Sequence, residues 1–247
     1  MSKTKSLFAF FCFLLSFAVV FSSCSQKDYR AVIFENDFSK GNNLTFGNYG
    51  TIVENLDESS ITLIKGNDNV GAISYFGNEN KSSYFVDRGL TGELEFELKP
   101  SEIETNNCFD WTFAINNTED NPLAEVVVSF RKYEKQLRVG FSQKTGEAAN
   151  QNSTSIENEK SKVIEKTGDY LLQVSFYSNI KDEILFNVRL VEKSNEEEVF
   201  VISGEKLLDA DEKQIESKQI GGMRSVGLSY MTIPSIKLKK IRLLENW

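Results

Sequence analysis

Apolar and polar residues alternate with a period of two along most of the chain. Segment 93–99 alternates without interruption, placing Leu94, Phe96 and Leu98 on one face and three glutamates on the other. A period of two is typical of a β-strand with one buried face, whereas a helix repeats every 3.6 residues. The other segments predicted as strands are 31–35, 51–54, 60–65, 70–76, 84–87, 109–115, 125–131, 137–141, 172–176, 184–190, 199–203, 226–230 and 235–244.

The last of these strands changes phase in its middle. Ile236 and Leu238 share one parity, whereas Ile241 and Leu243 take the other. A β-bulge near the lysine pair 239–240 would turn both apolar pairs towards the core, because a bulge inserts one extra residue into a strand.

The segments between the strands are short and polar. Most are rich in Gly, Asn and Asp, which are typical turn residues, while 143–160 is predicted as a surface loop and 207–215 allows a short helix. Similar strands resume on both sides of the long loop, so we expect one domain. About a dozen short strands separated by turns predict an all-β fold, a two-sheet antiparallel β-sandwich.

The first 23 residues have the pattern of a secretory signal peptide. Two lysines precede an apolar run at 7–20, which is shorter than the roughly 20 residues of a membrane-spanning helix. The run leads to Phe21-Ser-Ser-Cys24, which resembles the lipobox of bacterial lipoproteins. That resemblance implies cleavage before Cys24, acylation of this cysteine and anchoring to a membrane. An ordinary signal peptide followed by a chance cysteine is the alternative.

Three parts are therefore predicted: a cleaved signal peptide at 1–23, a tether at 24–30 and a β-sandwich domain at 31–247. Cleavage would reduce the 28 basic residues to 26 against 36 acidic ones, a net charge of −10. Such an acidic surface repels nucleic acid, so no nucleic-acid partner is expected.

The chain contains no histidine. This excludes Ser-His-Asp and Cys-His catalytic groups and any imidazole metal ligand. After cleavage and acylation, Cys108 would be the remaining free thiol, so no internal disulfide is expected. Without a histidine to activate it, Cys108 is interpreted as a small, partly buried residue.

Three motifs together resemble the concanavalin A-like lectin/glucanase sandwich, especially its laminin-G-like bacterial members. Segment 32–41, Val-Ile-Phe-Glu-Asn-Asp-Phe-Ser-Lys-Gly, is similar to the F-x-D-F-S-x-G opening of such domains. Segment 92–100 is similar to their strand ending in Lys-Pro, and 236–245 to their terminal strand. The resemblance covers 31–247 and implies a jelly-roll sandwich, which in the lectin members binds sugars.

The catalytic motif of the glucanase members is missing. Those members carry Glu-x-Asp-x-x-Glu on one strand, with the outer carboxylates as nucleophile and acid/base. Glu93, Glu95 and Glu97 have the right parity but no aspartate between them. We expect them to form a solvated strand face, and we expect no catalytic residue and no enzyme activity.

No cofactor is expected either. The calcium site that the resemblance implies would begin with Glu35 or Asp37, but the last strand offers lysines where an aspartate is needed. Residues 67–69, Asn-Asp-Asn, could ligate a hard cation through oxygen, although an ordinary turn is the simpler interpretation.

Outward-facing residues on the middle strands are the candidates for ligand binding. If these strands lie side by side, they form one polar face with three arginines, which would suit an anionic sugar or a peptide carboxylate. The candidates are Asp110, Arg131, Arg138, Gln173, Tyr177, Asn187 and Arg189. The alternative is a solvated face whose charges pair across strands. Trp111 shares its parity with Phe109 and Phe113, so we expect it in the core and not as a sugar platform.

The predicted function is a membrane-anchored lipoprotein that displays a non-catalytic, lectin-like β-sandwich and binds a carbohydrate or another extracellular ligand. One alternative is a structural or assembly lipoprotein that binds an envelope or host protein. A carboxylate-dependent glycoside hydrolase is the third possibility. All three place the exported protein in the bacterial cell envelope, anchored at the outer membrane or cell surface, and all rest on analogy of fold.

Overall fold

The computed structural model describes residues 30–42, 50–66, 89–117, 122–145, 160–209, 211–216 and 220–246. The fold described below belongs to the compact unit Ala31–Trp247. These residues form thirteen β-strands and the short 3₁₀ helix Leu56–Glu58. The strands lie in two antiparallel sheets of eight and five strands. The predicted fold class, a two-sheet antiparallel sandwich, is confirmed.

The eight-stranded sheet contains strands from both ends of the described chain. Its strands are β1 (Arg30–Asn36), β2 (Gly50–Asn55), β3 (Ser60–Lys65), β4 (Leu90–Leu98), β9 (Gly168–Ser178), β10 (Ile184–Glu192), β11 (Glu197–Lys206) and β13 (Ser235–Asn246). Their order is β11-β10-β9-β4-β13-β3-β2, and β1 also pairs with β13.

The five-stranded sheet contains most of the middle of the chain. Its strands are β5 (Cys108–Asn117), β6 (Pro122–Tyr133), β7 (Gln136–Thr145), β8 (Lys162–Ile164) and β12 (Ile220–Met231). Their order is β12-β5-β6-β7-β8. β8 and the last residues of β7 were not predicted as strands, so the predicted loop 143–160 begins too early.

The core lies between the two sheets, on the faces that the alternation predicts. Phe96 of β4 contacts the rings of Phe109, Trp111 and Phe130 from the opposite sheet, with centroids 5.5 to 6.2 Å apart. All four side chains are fully buried, and such rings remove large apolar areas from water. Trp111 therefore lies in the core, as expected from its parity. Cys108 is also buried, at 5% exposure.

The predicted bulge in the last strand is confirmed. Leu238 pairs with Phe96 and Lys240 with Glu95, so Lys239 is the extra residue in β13. The four apolar residues on either side of the bulge are all at most 5% exposed. The extra residue restores the inward direction that the change of phase would otherwise have lost.

The short helix that 207–215 allowed is not formed. Leu208 and Gln214 are joined by an isolated antiparallel bridge, and the described residues between them form a turn. The predicted strands 70–76 and 84–87, the signal peptide, Cys24 and Trp247 lie outside the described residues. Where the structure describes the chain, no helix has the length and apolar character needed to span a membrane.

Candidate functional site

The seven candidate residues do not share one face. The outer face of the five-stranded sheet carries Asp110, Arg131 and Arg138. The outer face of the eight-stranded sheet carries Gln173, Tyr177, Asn187 and Arg189. The core separates these faces, so the prediction of a single polar face is wrong. Alternation shows to which side of its own strand a residue points, but not to which sheet that strand belongs.

On the five-stranded sheet, the candidate arginines bind neighbouring side chains. Arg131 Nη2 lies 3.4 Å from Oδ2 of Asp110, whose residue is only 4% exposed. Arg138 donates hydrogen bonds to the Ser161 hydroxyl and to Oε1 of Gln136, both at 3.2 Å. These guanidinium groups therefore stabilise the sheet face itself.

On the eight-stranded sheet, four polar residues oppose one another on adjacent strands: Arg189, Gln173, Glu93 and Arg242. We refer to these four residues as the polar row. Arg189 donates to Gln173 at 3.1 Å, Gln173 donates to Glu93 at 2.5 Å, and Arg242 forms an ion pair with Glu93. Glu93 is only 3% exposed, so the expectation of a solvated glutamate face is wrong at this position.

Further contacts extend the polar row at both ends. Arg189 Nε lies 2.6 Å from Glu198, and Arg242 Nη1 lies 3.7 Å from Glu35. Beside the row, Tyr177 donates to Asn187 Oδ1 at 3.4 Å, and the Gly204 amide donates to the same oxygen at 2.7 Å. These contacts favour the alternative interpretation, in which charges on the sheet faces pair across strands.

The structure contains a cleft that the sequence did not indicate. It has a volume of about 580 Å³ and is lined by Glu97, Thr167, Gly168, Asp169, Glu192, Lys193, Ser194 and Lys239. We refer to it as the charged cleft. It lies where β4 ends, β9 begins and β10 ends, beside the bulge of β13. Its residues lie at strand ends and in turns, where alternation carries no signal.

Ion pairs hold most of the charged groups of the cleft. Lys239, the bulge residue, has its Nζ 2.6 Å from Oδ2 of Asp169. Lys193 Nζ lies 2.5 Å from Oε1 of Glu95. Glu97 Oε1 lies 3.3 Å from Lys99 Nζ. The walls of the cleft are thus a set of oriented acceptors and donors, an arrangement that suits a polar ligand.

Glu192 is the most deeply buried charged residue of the cleft, at 3% exposure. Its Oε1 accepts a hydrogen bond from the Ser194 amide at 3.2 Å. Its Oε2 lies 4.0 Å from Lys166 Nζ, which is much closer to Glu197, at 2.6 Å. Burial, together with the charges of Glu192 and Glu197, raises the pKa of the neighbouring Tyr170 to about 12.

The residues considered for calcium have other contacts. Glu35 lies beside Arg242, as described above, and Asp37 Oδ1 accepts hydrogen bonds from the hydroxyl and the amide of Ser39 at 2.7 and 3.1 Å. These bonds lower the pKa of Asp37. In the described part of the chain, no group of three or more acidic or cysteine residues is placed to hold a metal ion. Residues 67–69 lie outside the described residues.

No family model and no curated protein matches the chain. Among solved structures, it is similar to the carbohydrate recognition domain of Emp46p in its potassium-bound form, with 12% identity, a TM-score of 0.55 and coverage of 84% of this chain and 94% of that chain. At this identity the likeness shows the fold alone. The two proteins thus share a two-sheet β-sandwich fold.

Two further solved structures show a weaker likeness. The CBM2 module of the evolved Dit protein of Lactobacillus casei BL23 phage J-1 has 10% identity and a TM-score of 0.48, covering 88% of this chain and 96% of that chain. Alginate lyase Aly36B has 12% identity and a TM-score of 0.45, covering 82% of this chain and 86% of that chain.

Proposed function

We propose that the protein is a lipid-anchored lipoprotein of the bacterial cell envelope whose sandwich binds carbohydrate without catalysing a reaction. The observation that carries the proposal is the charged cleft, an open polar groove on a sandwich similar to that of a carbohydrate recognition domain. Its volume falls within the range of about 300–1,000 Å³ that is usual for small-ligand sites. The similar carbohydrate recognition domain of Emp46p gives the proposal its ligand class.

The groups in the cleft suit sugar hydroxyls. A hydroxyl group donates one hydrogen bond and accepts others, so a sugar needs both kinds of partner. Carboxylates such as Asp169 accept hydrogen bonds, ammonium groups such as Lys239 donate them, and the Ser194 and Thr167 hydroxyls do both. Because ion pairs already orient these side chains, binding would require little additional ordering.

A glycan array followed by calorimetric titration tests the binding proposal. We expect the folded sandwich to bind at least one glycan class, and Asp169→Asn to weaken that binding by about tenfold, since charge-assisted hydrogen bonds contribute strongly. Asp211→Asn is the matched control, because Asp211 is exposed and follows β11, which ends away from the cleft. Folded protein that binds no glycan would contradict the proposal.

The membrane anchor is tested separately through Cys24. We expect the full chain with Cys24→Ser to carry no acyl chains, because serine offers no thiol for acylation and the acyl chains provide the lasting membrane affinity. Mass spectrometry of the mature N-terminus checks the modification. An unmodified cysteine in the wild-type protein would indicate an ordinary signal peptide.

A hydrolase remains the alternative that the carboxylates of the cleft favour. Glu97, Asp169 and Glu192 line the same cavity, and glycoside hydrolysis commonly uses two carboxylates. Incubating the protein with the glycans that it binds and measuring new reducing ends distinguishes the two functions. If the wild-type protein releases reducing ends and Glu192→Gln does not, the function is glycoside hydrolysis and the non-catalytic proposal is wrong.

A protein-binding role is favoured by exposed apolar residues at one edge of the eight-stranded sheet. The β2–β3 hairpin exposes three apolar side chains. They are Val53 of β2 at 41%, Leu56 of the 3₁₀ helix at 54% and Ile64 of β3 at 39% exposure. Exposed apolar patches on edge strands commonly mark partner surfaces. Cross-linking in cells would then trap one dominant protein, and Val53→Lys would abolish that product.

A further inference from the structure

We propose that the charged cleft selects oligosaccharides of non-acetylated hexosamines, and that Glu192 receives their protonated amine. The inference rests on the proposed carbohydrate binding and specifies its ligand class. It follows from the one carboxylate of the cleft whose charge is poorly compensated within the described residues.

The environment of Glu192 leaves its charge undercompensated. A buried carboxylate is unfavourable unless it is paired and hydrogen-bonded. Glu192 is 97% buried, yet its described contacts are one amide hydrogen bond to Oε1 and a lysine 4.0 Å from Oε2. That lysine, Lys166, forms its shorter ion pair with Glu197. A ligand ammonium would provide the missing charge-assisted hydrogen bond.

The lysines of the cleft do not serve this carboxylate. Lys239 and Lys193 lie 2.6 and 2.5 Å from Asp169 and Glu95, so their charges are already matched by other acids. The raised pKa of Tyr170, due first to burial and then to Glu192 and Glu197, agrees with a negative potential in this part of the cleft.

The cleft also gives access to Glu192 and contacts for a sugar ring. A side chain at Gly168 would begin 3.4 Å from Glu192 Oε1, so the glycine keeps the space beside this oxygen open. The hydroxyls of Thr167 and Ser194 line the same cavity and can bind the hydroxyl groups that flank an amine on a hexosamine. An acetylated amine carries no charge to pair with Glu192, and it is too large for the space beside Gly168.

The experiment compares chitosan tetrasaccharide with chitin tetrasaccharide, which differ in acetylation of the amine. Calorimetric titration uses the full chain in detergent and its variants Glu192→Gln, Glu192→Asp and Asp211→Asn, with circular dichroism to confirm folding. We expect the wild-type cleft to prefer the chitosan oligomer by at least about tenfold. Glu192→Gln should remove that preference, Glu192→Asp should retain part of it, and Asp211→Asn should leave it unchanged.

The other outcomes overturn the inference in distinguishable ways. Equal or tighter binding of the chitin oligomer, or a chitosan preference that Glu192→Gln does not alter, contradicts the role of Glu192 but leaves carbohydrate binding intact. Binding of neither oligomer by folded protein refutes the hexosamine class, while a positive glycan array would still support the proposed function. Failure on both the array and the titration removes both proposals.

Discussion

Gly92 faces the core from β4, directly against Phe113 and Val226 of the five-stranded sheet. A Cβ at this position would lie 2.7 Å from atoms of both side chains, closer than packed carbon atoms approach. We expect Gly92→Ala to lower the free energy of unfolding by about 1–3 kcal/mol through overpacking. Urea denaturation measures the change, and Gly168→Ala, with a single contact at 3.4 Å, is the control. Equal stability of the two variants would refute this explanation.

At the residue scale, the alternation predicted the direction in which a side chain points better than it predicted how buried that side chain is. It correctly placed Trp111 in the core, but it gave the same solvated character to every glutamate of β4. Glu93 differs from its neighbours because Gln173 and Arg242 oppose it on both adjacent strands. Burial of a polar side chain depends on its cross-strand partners, and those partners are distant in sequence.

At the element scale, the polar row joins four adjacent strands through Glu93. Glu93→Ala would leave Arg242 and Gln173 without this partner, and a polar group that loses its partner in a buried site costs about 1–3 kcal/mol. We expect a loss of that size in chemical denaturation. Glu58→Ala removes an exposed ion pair with Lys237 and should cost at most about 1 kcal/mol. A Glu93→Ala variant as stable as Glu58→Ala would show that the row contributes little.

The elements themselves were largely predictable, but their assembly was not. The change of phase in β13 was sufficient to predict a bulge near the lysine pair 239–240, because parity is a local property. No local property shows that β4 pairs with β9 and β13. The charged cleft depends on that pairing, since it brings Glu97, Asp169 and Lys239 together from three strands. The candidate residues were wrongly predicted to share one face because the sequence does not show which strands pair.

At the scale of the whole molecule, stability should be almost constant between about pH 6 and 8 and should fall in acid. The chain has no histidine, the side chain that ordinarily titrates in that range. The bonds from Asn179 and Lys166 lower the pKa of Glu183 and Glu197 below the ordinary value of 4.5. A carboxylate whose pKa is lowered by folding stabilises the fold at pH values above its pKa in the unfolded chain. This contribution is lost as the pH falls through the pKa of the folded state.

Thermal unfolding between pH 3 and 8 checks this dependence. The melting temperature should decrease below about pH 4.5, and the decrease should be smaller in Glu183→Gln/Glu197→Gln. An acid transition of unchanged size in this double variant would assign the loss to other groups. A transition centred near neutral pH would contradict the prediction itself.

The position of β13 has a consequence for when the protein can fold. This strand is the last described one to be synthesised, yet it lies between β4 and β3 in the middle of the eight-stranded sheet and also pairs with β1. The early strands therefore have no stable sheet to join until Ser235–Asn246 has been made, and such distant pairings form slowly. For the export proposed above, such late assembly would keep the chain unfolded during translocation.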